Sequence, residues 1–358
     1  MKQLVADLMD KGVVDTTFMV KDKVVATAKN GKPYMNVRLV DKSGEVDGKV
    51  WDNVEQLSTA FVKDDFIHVR GTASQYMGKM QVTIKDIVYC KDSDVNLADF
   101  MAVSPIPQQE LIAELLQVIK TLENPYLRAL MQGFVKDAAF LSSYASAPAA
   151  KGMHHVYLGG LLEHSLSVVR LVDAVVPLYG DMDRDLLVVG ALLHDVGKVL
   201  ELRYERSFDY TNAGRLIGHI TLGVEMVTDQ IRRISGFPDE LAMLVKHMLL
   251  SHHGQYEYGS PKRPKTVEAV LLHYLDDMDS KVNGVRAHIA RERDGLEGNW
   301  TSFHRMYNLN FYVPDEQEVA EVLSQDPAAD VLSAVTADTH KESKEEPLAT
   351  SPNLSLFE

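Results

Sequence analysis

The stretch "ALLHDVGKVLEL", residues 191–202, ends a run of apolar residues with an adjacent imidazole and carboxylate, His194 and Asp195. The residues before it, "LLVVG", continue the same apolar pattern and predict a buried helix. A charge pair in a buried helix is costly unless another group compensates it. The stretch therefore indicates a helical core that holds a polar site, which is either a structural ion pair or a chemical centre.

Further histidines and aspartates occur at core positions of four other predicted helices or helix ends. Together with the first pair, the candidates are His164, His194, Asp195, His219, His252, His253 and Asp276. Imidazole and carboxylate groups are the expected ligands of Mn, Fe, Co, Ni or Zn ions. A single histidine is more often a hydrogen-bonded or surface residue, and we keep that interpretation for His247, His273, His288 and His304. Seven together favour a metal site, because coordination also compensates the buried pair.

The composition of the 358-residue chain is that of a globular protein, with 46% hydrophobic and 25% charged residues. The N-terminus, "MKQLVADLMDKG", has mixed charges and no apolar core, so no signal peptide is expected. The longest apolar runs are too short to cross a bilayer. The single cysteine, Cys90, excludes an internal disulfide framework and favours a reducing cytoplasm.

The net charge of −14 argues against a nucleic-acid partner for the chain as a whole. Its distribution weakens that argument, because residues 1–98 carry 14 Lys and Arg against 14 Asp and Glu and are therefore neutral. A neutral segment can still present a basic face. The acidic residues that follow would suit metal cations.

The segment from residue 13 to residue 90 alternates apolar and polar residues in the manner of β-strands. In "YMNVRLVD", Met35, Val37 and Leu39 fall on one face, and the turn signals "NGK" and "KSGE" stand on either side. "EVDGKVWD" is the predicted hairpin partner. About five short strands in fewer than a hundred residues fit a small β-barrel of the OB type.

The hydrophobic period changes from 2 to 3.6 beyond residue 98. Two prolines mark residues 99–107 as a linker, and helical patterns then continue to about residue 293, with Asn124 as a predicted N-cap before Pro125. The C-terminal part is rich in Ala, Ser, Glu and Pro with few aromatic residues. The predicted organisation is an all-β OB-fold barrel, a linker, an all-α domain and a disordered acidic tail, at residues 1–98, 99–107, 108–324 and 325–358.

The ordered histidines and aspartates resemble the H…HD…D signature of the HD metal-dependent phosphohydrolases, with the additional histidines of members that hold two metals. The likeness extends to the motifs "LLEHS", "LLHDVGKV", "GHI", "LSHHG", "GSPKRP" and "LHYLDDMDSK". With the preceding barrel, the chain resembles the YhaM-type 3′-5′ exoribonucleases of bacteria over residues 10–313. The acidic tail lies outside this resemblance.

The resemblance implies how the seven ligands divide between two divalent transition-metal ions. One ion is expected on His164, His194, Asp195 and Asp276. The second is expected on His219, His252 and His253, with Asp195 bridging the two as the central catalytic residue. Two metals suit phosphodiester hydrolysis because they clamp the attacking and leaving oxygens. Mn, Fe, Co and Ni are the expected metals.

Three cationic residues are candidates for contacts with phosphate. Lys198 follows the His–Asp pair by one helical turn, where a cation could hold the scissile phosphate and act in catalysis. The alternative is a solvated lysine beyond a helix end. Arg215 and Lys281 are further candidates for contacts with nucleic acid. The histidines at 154–155 are left out of the metal set, because His155 could reach the substrate but a helix start or a surface position explains both equally well.

One face of the predicted barrel combines aromatic and cationic side chains, namely those of Tyr34, Asn36, Arg38, Lys49 and Trp51. Single-stranded nucleic acid binds such surfaces because bases stack on rings and phosphates contact Lys and Arg. Alternatively, Trp51 packs at a domain interface and the charges are ordinary surface residues. The first interpretation predicts a strand-binding surface with little sequence preference.

The chain ends in "NLSLFE", a short apolar segment after a polar tail. Leu354, Leu356 and Phe357 resemble the Gln-Leu-Ser-Leu-Phe-type peptide that docks on the bacterial sliding clamp, with a departure at Asn353. The alternatives are that the segment folds back on its own protein or has no role. The resemblance implies the sliding clamp as a partner.

Together these features predict a cytoplasmic, metal-dependent 3′-5′ exonuclease of single-stranded RNA, with single-stranded DNA as a second substrate. A homo-oligomeric assembly is expected by analogy alone. The polarity of digestion follows from the family resemblance alone. Two alternatives stay open. One is an HD phosphohydrolase of small or cyclic nucleotides, and the other is a non-catalytic, replication-associated nucleic-acid-binding protein.

Overall fold

The structure is a computed structural model that describes residues 2–28, 30–101, 103–150, 157–204, 209–296 and 298–315. The chain divides into two compact units, residues 1–287 and 288–358. Leu354, Leu356 and Phe357 of the predicted clamp peptide lie outside the described residues. Within the described ranges, no helix has both the length and the apolar composition that crossing a membrane requires.

Five strands near the N-terminus close into a barrel. They are β1 (Val13–Thr27), β2 (Pro33–Asp41), β3 (Gly44–Val50), β4 (Phe66–Tyr76) and β5 (Lys79–Cys90). Their order is β1-β2-β3-β5-β4, in which only the β3–β5 pair is parallel. This five-stranded closed arrangement confirms the predicted OB-fold barrel. Met35, Val37 and Leu39 all face its core, as the alternation predicts.

A short helix, α1 (Val54–Thr59), connects β3 to β4. This helix was not predicted from the sequence. Six residues span fewer than two helical turns, so no apolar period of 3.6 can be recognised over this length. Its first residue, Val54, is buried against the barrel core and ties the helix to that barrel.

The chain that follows the barrel is mainly helical, as predicted for the HD domain. Its helices are α2 (Gln108–Thr121), α3 (Pro125–Lys136), α4 (Ala138–Ser146), α5 (Gly160–Val175), α6 (Arg184–Leu193), α7 (Lys198–Glu201), α8 (Asn212–Leu216), α9 (His219–Arg232), α10 (Asp239–Ser251) and α11 (Val267–Glu292). A two-stranded ribbon, Leu202–Arg203 with Asp209–Tyr210, follows α7. Asn124 caps α3 by accepting from two backbone N–H groups, which confirms the predicted cap.

Helix α6 forms the centre of the helical core. All of its residues from Leu186 to Leu193 are buried, and it packs against α5, α10 and α3. A helix that is apolar on every side is stable only when neighbours enclose it. The segment before α2 is fixed to the start of α5, since Ser104 donates its backbone N–H to the Leu158 carbonyl at 2.9 Å. The predicted domain bounds themselves remain predictions.

The second unit is described for residues 288–296 and 298–315. Backbone bridges join Trp300 to Tyr312 and His304 to Leu309. The imidazole rings of His288 and His304 meet edge to face, with centroids 4.6 Å apart. These contacts give the segment its own small aromatic cluster.

Candidate metal centre

The His194–Asp195 pair lies at the buried C-terminal end of α6. His194 has no exposed surface, and Asp195 is 3% exposed. Lys198, which is 9% exposed, donates from Nζ to Asp195 Oδ2 at 2.6 Å. The stretch at residues 191–202 therefore compensates part of the cost of its buried charge, because the cation of Lys198, one turn later, neutralises the carboxylate of Asp195.

Gly197 allows the N-terminus of α9 to approach this pair. A Cβ atom at Gly197 would lie 2.0 Å from the carbonyl oxygen of His219 and 2.6 Å from the backbone nitrogen of Gly223. No other residue fits without moving the backbone. The close approach brings His219 Nε2 to 3.3 Å from Asp195 Oδ1.

The two oxygens of Asp195 face different groups of imidazoles. Asp195 Oδ2 lies 3.3 Å from His194 Nε2 and 3.9 Å from His164 Nε2. Asp195 Oδ1 lies 3.3 Å from His219 Nε2 and 3.6 Å from His252 Nε2. The carboxylate thus stands between two sets of potential metal ligands.

Asp276 and His253 complete the two sets. Asp276 Oδ1 lies 3.1 Å from His164 Nε2. The His253 ring centroid is 4.3 Å from that of His252 and 5.2 Å from that of His219. The potential ligand atoms form two triplets, and within each triplet they lie within 4.8 Å of one another. One triplet is His164, His194 and Asp195. The other is His219, His252 and His253. The structure therefore brings all seven predicted ligands into one cluster.

The Nδ1 atom of each of the five histidines already has a partner. Three of them donate from Nδ1 to a backbone carbonyl oxygen at 2.8–2.9 Å, namely His194, His252 and His253. Nδ1 of His164 lies 2.8 Å from Asp279, and Nδ1 of His219 lies 3.1 Å from Glu201. A carbonyl oxygen can only accept, so in the first three rings the proton lies on Nδ1. This tautomer leaves the Nε2 lone pair directed at the cluster, as metal coordination requires.

Three buried ligand atoms of the cluster lack a hydrogen-bond partner among the described residues. They are Asp195 Oδ1, His219 Nε2 and His252 Nε2. Buried lone pairs without a donor are costly and rare in folded proteins. A divalent cation between these atoms would satisfy all three at once, and imidazole with carboxylate is a suitable donor set. The cluster could therefore bind metal.

The two carboxylates of the cluster are held in their ionised form. Burial alone would raise the pKa of Asp195, but the positive charge of Lys198 and the contact with the His194 ring hold it well below its usual range. Burial also opposes ionisation of Asp276, whose pKa is nevertheless lowered by His194 and by a hydrogen bond from His164. Ionised carboxylates are the form that binds a cation.

The imidazoles differ in their proton affinity. Burial lowers the pKa of His252, and burial with repulsion from the neighbouring imidazoles lowers that of His253 to about 3. At His164, burial is outweighed by hydrogen bonds to Asp276 and Asp279, which raise its pKa to about 9. A metal would therefore bind His252 and His253 directly and would displace a proton from His164.

Two carboxylates that were not among the predicted site residues orient the histidines. Glu201 is buried and accepts from both Nδ1 and the backbone nitrogen of His219. Asp279 is buried and accepts from Nδ1 of His164 and from the Ser167 hydroxyl. Such outer carboxylates fix the ring orientation and increase the basicity of metal-binding histidines.

The sequence held a signal for both of these residues. Glu201 lies between the apolar residues Leu200 and Leu202, shortly after the His194–Asp195 pair. Asp279 follows Asp276 by three residues and therefore lies on the same face of α11. A carboxylate at a predicted core position is rare unless it has a partner.

The three predicted phosphate contacts differ in their placement. Lys198 lies inside the cluster, at the hydrogen bond described above. The exposed Arg215 lies 3.2 Å from Asp209, and the exposed Lys281 lies 2.7 Å from Asp277 on the same helix. The structure thus brings only Lys198 of the three into contact with the candidate metal ligands, within the residues described.

Two further histidines of the first unit form hydrogen bonds to the backbone. His247 accepts from the backbone nitrogen of Lys265 at 2.9 Å. His273 donates from Nδ1 to the His252 carbonyl at 2.8 Å and so supports the backbone of a candidate ligand. The histidines at 154–155 lie outside the described residues.

The predicted strand-binding face lies on β2, β3 and the residue after β3. Tyr34 and Trp51 stack with centroids 5.3 Å apart, and Trp51 is 51% exposed. Lys49 donates to the Asn36 side chain directly across the two strands, and its Nζ lies 5.8 Å from the centre of the Tyr34 ring. Arg38 pairs with an aspartate of the neighbouring strand at 3.4 Å. These five side chains form an aromatic and cationic surface, called here the barrel face.

Comparisons with known proteins agree with both parts of the fold. A family model described as "HD domain" matches residues 161–281, and one described as "OB-fold nucleic acid binding domain" matches residues 18–88. All seven candidate ligands fall in the first range. These matches assign the barrel and the helical part to two known domain types.

Relatives match most of the chain. The 3′-5′ exoribonuclease YhaM of Geobacillus sp. (strain WCH70) is 33% identical over 303 residues, which cover 84% of this chain and 92% of that protein. The YhaM of Bacillus subtilis (strain 168) is 33% identical over 303 residues, or 84% and 95% of the two chains. The YhaM of Listeria welshimeri is 38% identical over 271 residues, or 75% and 86%. Because similarity at this level runs through both domains, the chain belongs to the YhaM family of 3′-5′ exoribonucleases.

Proposed function

We propose that this protein is a metal-dependent 3′-5′ exonuclease that hydrolyses phosphodiester bonds in single-stranded RNA, with single-stranded DNA as a second substrate. The observation that carries the proposal is the position of Asp195, whose two oxygens face two separate groups of imidazoles. A carboxylate shared in this way is suited to two metals at one site, the arrangement used to cleave phosphodiesters. Membership of a family named for this activity supports the reaction and its direction.

In this proposal the ligands divide as the family resemblance implies. His164, His194 and Asp276 would hold one metal, and His219, His252 and His253 would hold the other, with Asp195 available to both groups. When bound, divalent metals lower the pKa of water and stabilise negative charge on phosphate oxygens. Mn, Fe, Co and Ni are the candidate ions, since imidazole and carboxylate ligands accept each of them.

The protein's own groups keep this site in order before a substrate arrives. Backbone carbonyls, Glu201 and Asp279 fix the imidazole rings through Nδ1, so the Nε2 atoms need no reorientation. Lys198 keeps Asp195 ionised and in place through its 2.6 Å hydrogen bond. We propose that the same ammonium group contacts the scissile phosphate, which would give it a direct part in catalysis.

Digestion of a 5′-labelled single-stranded RNA tests the proposed reaction. The purified protein with added Mn²⁺ is expected to release mononucleotides and to shorten the labelled strand stepwise from its 3′ end. EDTA is expected to stop the reaction. Parallel assays with mononucleotides and cyclic dinucleotides examine the alternative substrates. Faster hydrolysis of those small molecules, or label released directly as a mononucleotide, would contradict the proposal.

The barrel face is the proposed binding surface for the single strand, and Trp51→Ala tests it. Stacking of one base on an aromatic ring contributes about 1–3 kcal/mol of binding free energy. Loss of the Trp51 ring is therefore expected to raise the Kd roughly 5- to 150-fold. Fluorescence anisotropy with a 2′-O-methyl single strand in EDTA measures binding without cleavage. Val88→Ala, another exposed apolar residue of the barrel, is the control. Equal affinity of the Trp51 variant and the parent protein would place strand binding elsewhere.

Asp279→Asn tests the role of the outer carboxylates. The change keeps the side-chain shape but removes the charge next to His164 Nδ1, so the affinity for Mn²⁺ is expected to fall about 10- to 100-fold. Isothermal titration calorimetry gives the affinity directly. Asp277→Asn alters an exposed aspartate of the same helix and is expected to have no effect. An unchanged affinity in the Asp279 variant would show that this carboxylate does not support the metal site.

Three other expectations remain predictions from the sequence. They are a cytoplasmic location, a homo-oligomeric assembly and clamp binding through Leu354, Leu356 and Phe357. The proposed exonuclease activity depends on none of them.

A further inference from the structure

The loop that follows His252 and His253 carries exposed aromatic and cationic side chains beside the candidate metal centre. This loop, "GQYEYGSPKRPK" at residues 254–265, connects α10 to α11 and is called here the tyrosine loop. Its side chains take no part in the site described above. Its position raises the question of what the exposed rings bind.

Hydrogen bonds fix the tyrosine loop to the cluster. His253 donates from Nδ1 to the Tyr258 carbonyl oxygen at 2.9 Å, so the Tyr258 backbone contacts a candidate ligand directly. The buried Ser260 hydroxyl bonds to the carbonyl oxygens of Lys262 and Leu250 at 2.7 and 3.2 Å. Gly254 starts the loop at a φ of +76°, where a side chain would collide with a neighbouring ring. The loop is therefore held at a defined place next to the ligands.

The two tyrosine rings of the loop face solvent. Tyr256 is 61% exposed and Tyr258 is 69% exposed. Within the described part of the chain, neither ring packs on another aromatic ring, and neither hydroxyl forms a hydrogen bond. Aromatic rings usually bury much of their surface, so two open rings on a fixed loop indicate a surface used for binding.

Cations without a carboxylate partner accompany the rings. Lys262, Arg263 and Lys265 are exposed, and no carboxylate oxygen of the described residues lies within 4.0 Å of their charged groups. Arg215 and Lys281, by contrast, both pair with aspartates. Including the acidic Glu257, the loop carries a net charge of +2 beside a cluster that holds two carboxylates.

We infer that the tyrosine loop is a nucleotide-binding subsite in which Tyr256 and Tyr258 stack on bases while Lys262 and Arg263 contact phosphates. This inference rests on the proposed exonuclease function and names where that site holds the end of its substrate. Open rings beside unpaired cations are the combination that binds single strands with little sequence preference. Because the hydrogen bond from His253 holds the tyrosine loop beside the candidate ligands, bases bound to the loop would lie next to the bond that is cut.

The test compares the double variant Tyr256→Leu/Tyr258→Leu with Tyr256→Phe/Tyr258→Phe, which keeps the rings. Tyr179→Leu is the matched control, because Tyr179 is also 61% exposed but lies beyond the far end of α5. Binding of a 2′-O-methyl single strand is measured in EDTA, and KM, kcat and bound Mn²⁺ are measured separately. The leucine variant loses two stacking rings at about 1–3 kcal/mol per base, so binding is expected to weaken roughly 30-fold or more, with unchanged metal content and a matching rise in KM. The phenylalanine and Tyr179 variants are expected to bind normally.

The outcomes separate this inference from the proposed function. Equal strand affinity of the leucine variant and the parent protein overturns the inference, whatever the protein's activity. A parent protein that binds the strand but does not cleave it with Mn²⁺ contradicts the exonuclease proposal, while weakened binding in the leucine variant still supports the subsite.

The salt dependence of binding tests the cations of the loop. Lys262→Gln/Arg263→Gln is expected to reduce the slope of log K against log salt concentration by about 1.4, since each phosphate contact to a single strand contributes about 0.7. An unchanged slope would show that these two residues do not contact phosphates. Lys281→Gln, which removes an already paired lysine, is the charge control.

Discussion

Asp195→Asn is expected to reduce hydrolysis of single-stranded RNA by about 10³-fold or more and to lower the affinity for metal. The variant keeps the volume of the side chain but removes the negative charge that both groups of imidazoles face. Bound metals stabilise the transition state by several kcal/mol, and a loss of about 4 kcal/mol lowers the rate about a thousandfold. Initial rates on a labelled strand and calorimetric titration with Mn²⁺ measure the two effects.

Asp195→Asn tests the role of the negative charge more specifically than Asp195→Ala does, because it leaves Lys198 with a hydrogen-bond acceptor. The amide oxygen of asparagine can still accept from Lys198 Nζ, whereas alanine would leave this ammonium group buried without its partner. Removing one partner of a buried ion pair costs about 3–5 kcal/mol of stability. Asp195→Ala is therefore expected to lower the melting temperature far more than Asp195→Asn does, and its loss of activity would mix two causes.

An exposed aspartate provides the control for this experiment. Asp229 lies on α9 and pairs with Arg232 at the surface, so Asp229→Asn is expected to keep both activity and metal affinity. A folded Asp195→Asn protein that degrades RNA at the normal rate would rule out Asp195 as the shared ligand. Thermal denaturation of each variant shows whether the fold is retained.

The sequence alone was sufficient to predict the parts of the fold in which a local pattern indicates which residues are buried. Alternation in β2 placed Met35, Val37 and Leu39 in the barrel core, and the residue order around Asn124 placed a helix start correctly. The barrel and the helical domain followed from the change of period near residue 98. These features depend on neighbours within a few residues, which a single sequence displays.

The detailed geometry of the candidate metal centre could not be predicted in this way, because it depends on contacts between distant parts of the chain. Asp279 supports His164 across 115 positions of sequence, and no local pattern connects the two residues. The phosphate contact of Lys198 stays a prediction, and its hydrogen bond to Asp195, which depends on the turn after α6, could not be predicted from the sequence. The division of the ligands was expected from the family resemblance. The distances to each oxygen of Asp195 came only from the packing of α5, α6, α9 and α10.

Variants that remove one ligand from each group are expected to show whether two metals are needed. Asp276→Asn weakens the group that contains His164, and His253→Ala removes a ligand from the group around His219. If each group holds its own metal, each variant is expected to retain one ion per chain where the parent protein holds two. Hydrolysis is expected to fall by about 10³-fold in both, because each loses one metal's share of charge stabilisation.

The metal content of the two variants distinguishes a two-metal centre from a one-metal centre more clearly than activity does. A centre with a single ion on His164, His194 and Asp195 would leave metal content and rate unchanged in His253→Ala, because that ring contacts only the other group. Mass spectrometry of bound metal after gel filtration measures the stoichiometry, with His68→Ala in the barrel as a control histidine. One ion per chain in the parent protein would contradict the two-metal proposal. Two ions in the parent protein and one in each variant would support the two-metal centre, and the ion retained in Asp276→Asn would then have Asp195 as the carboxylate beside its imidazoles.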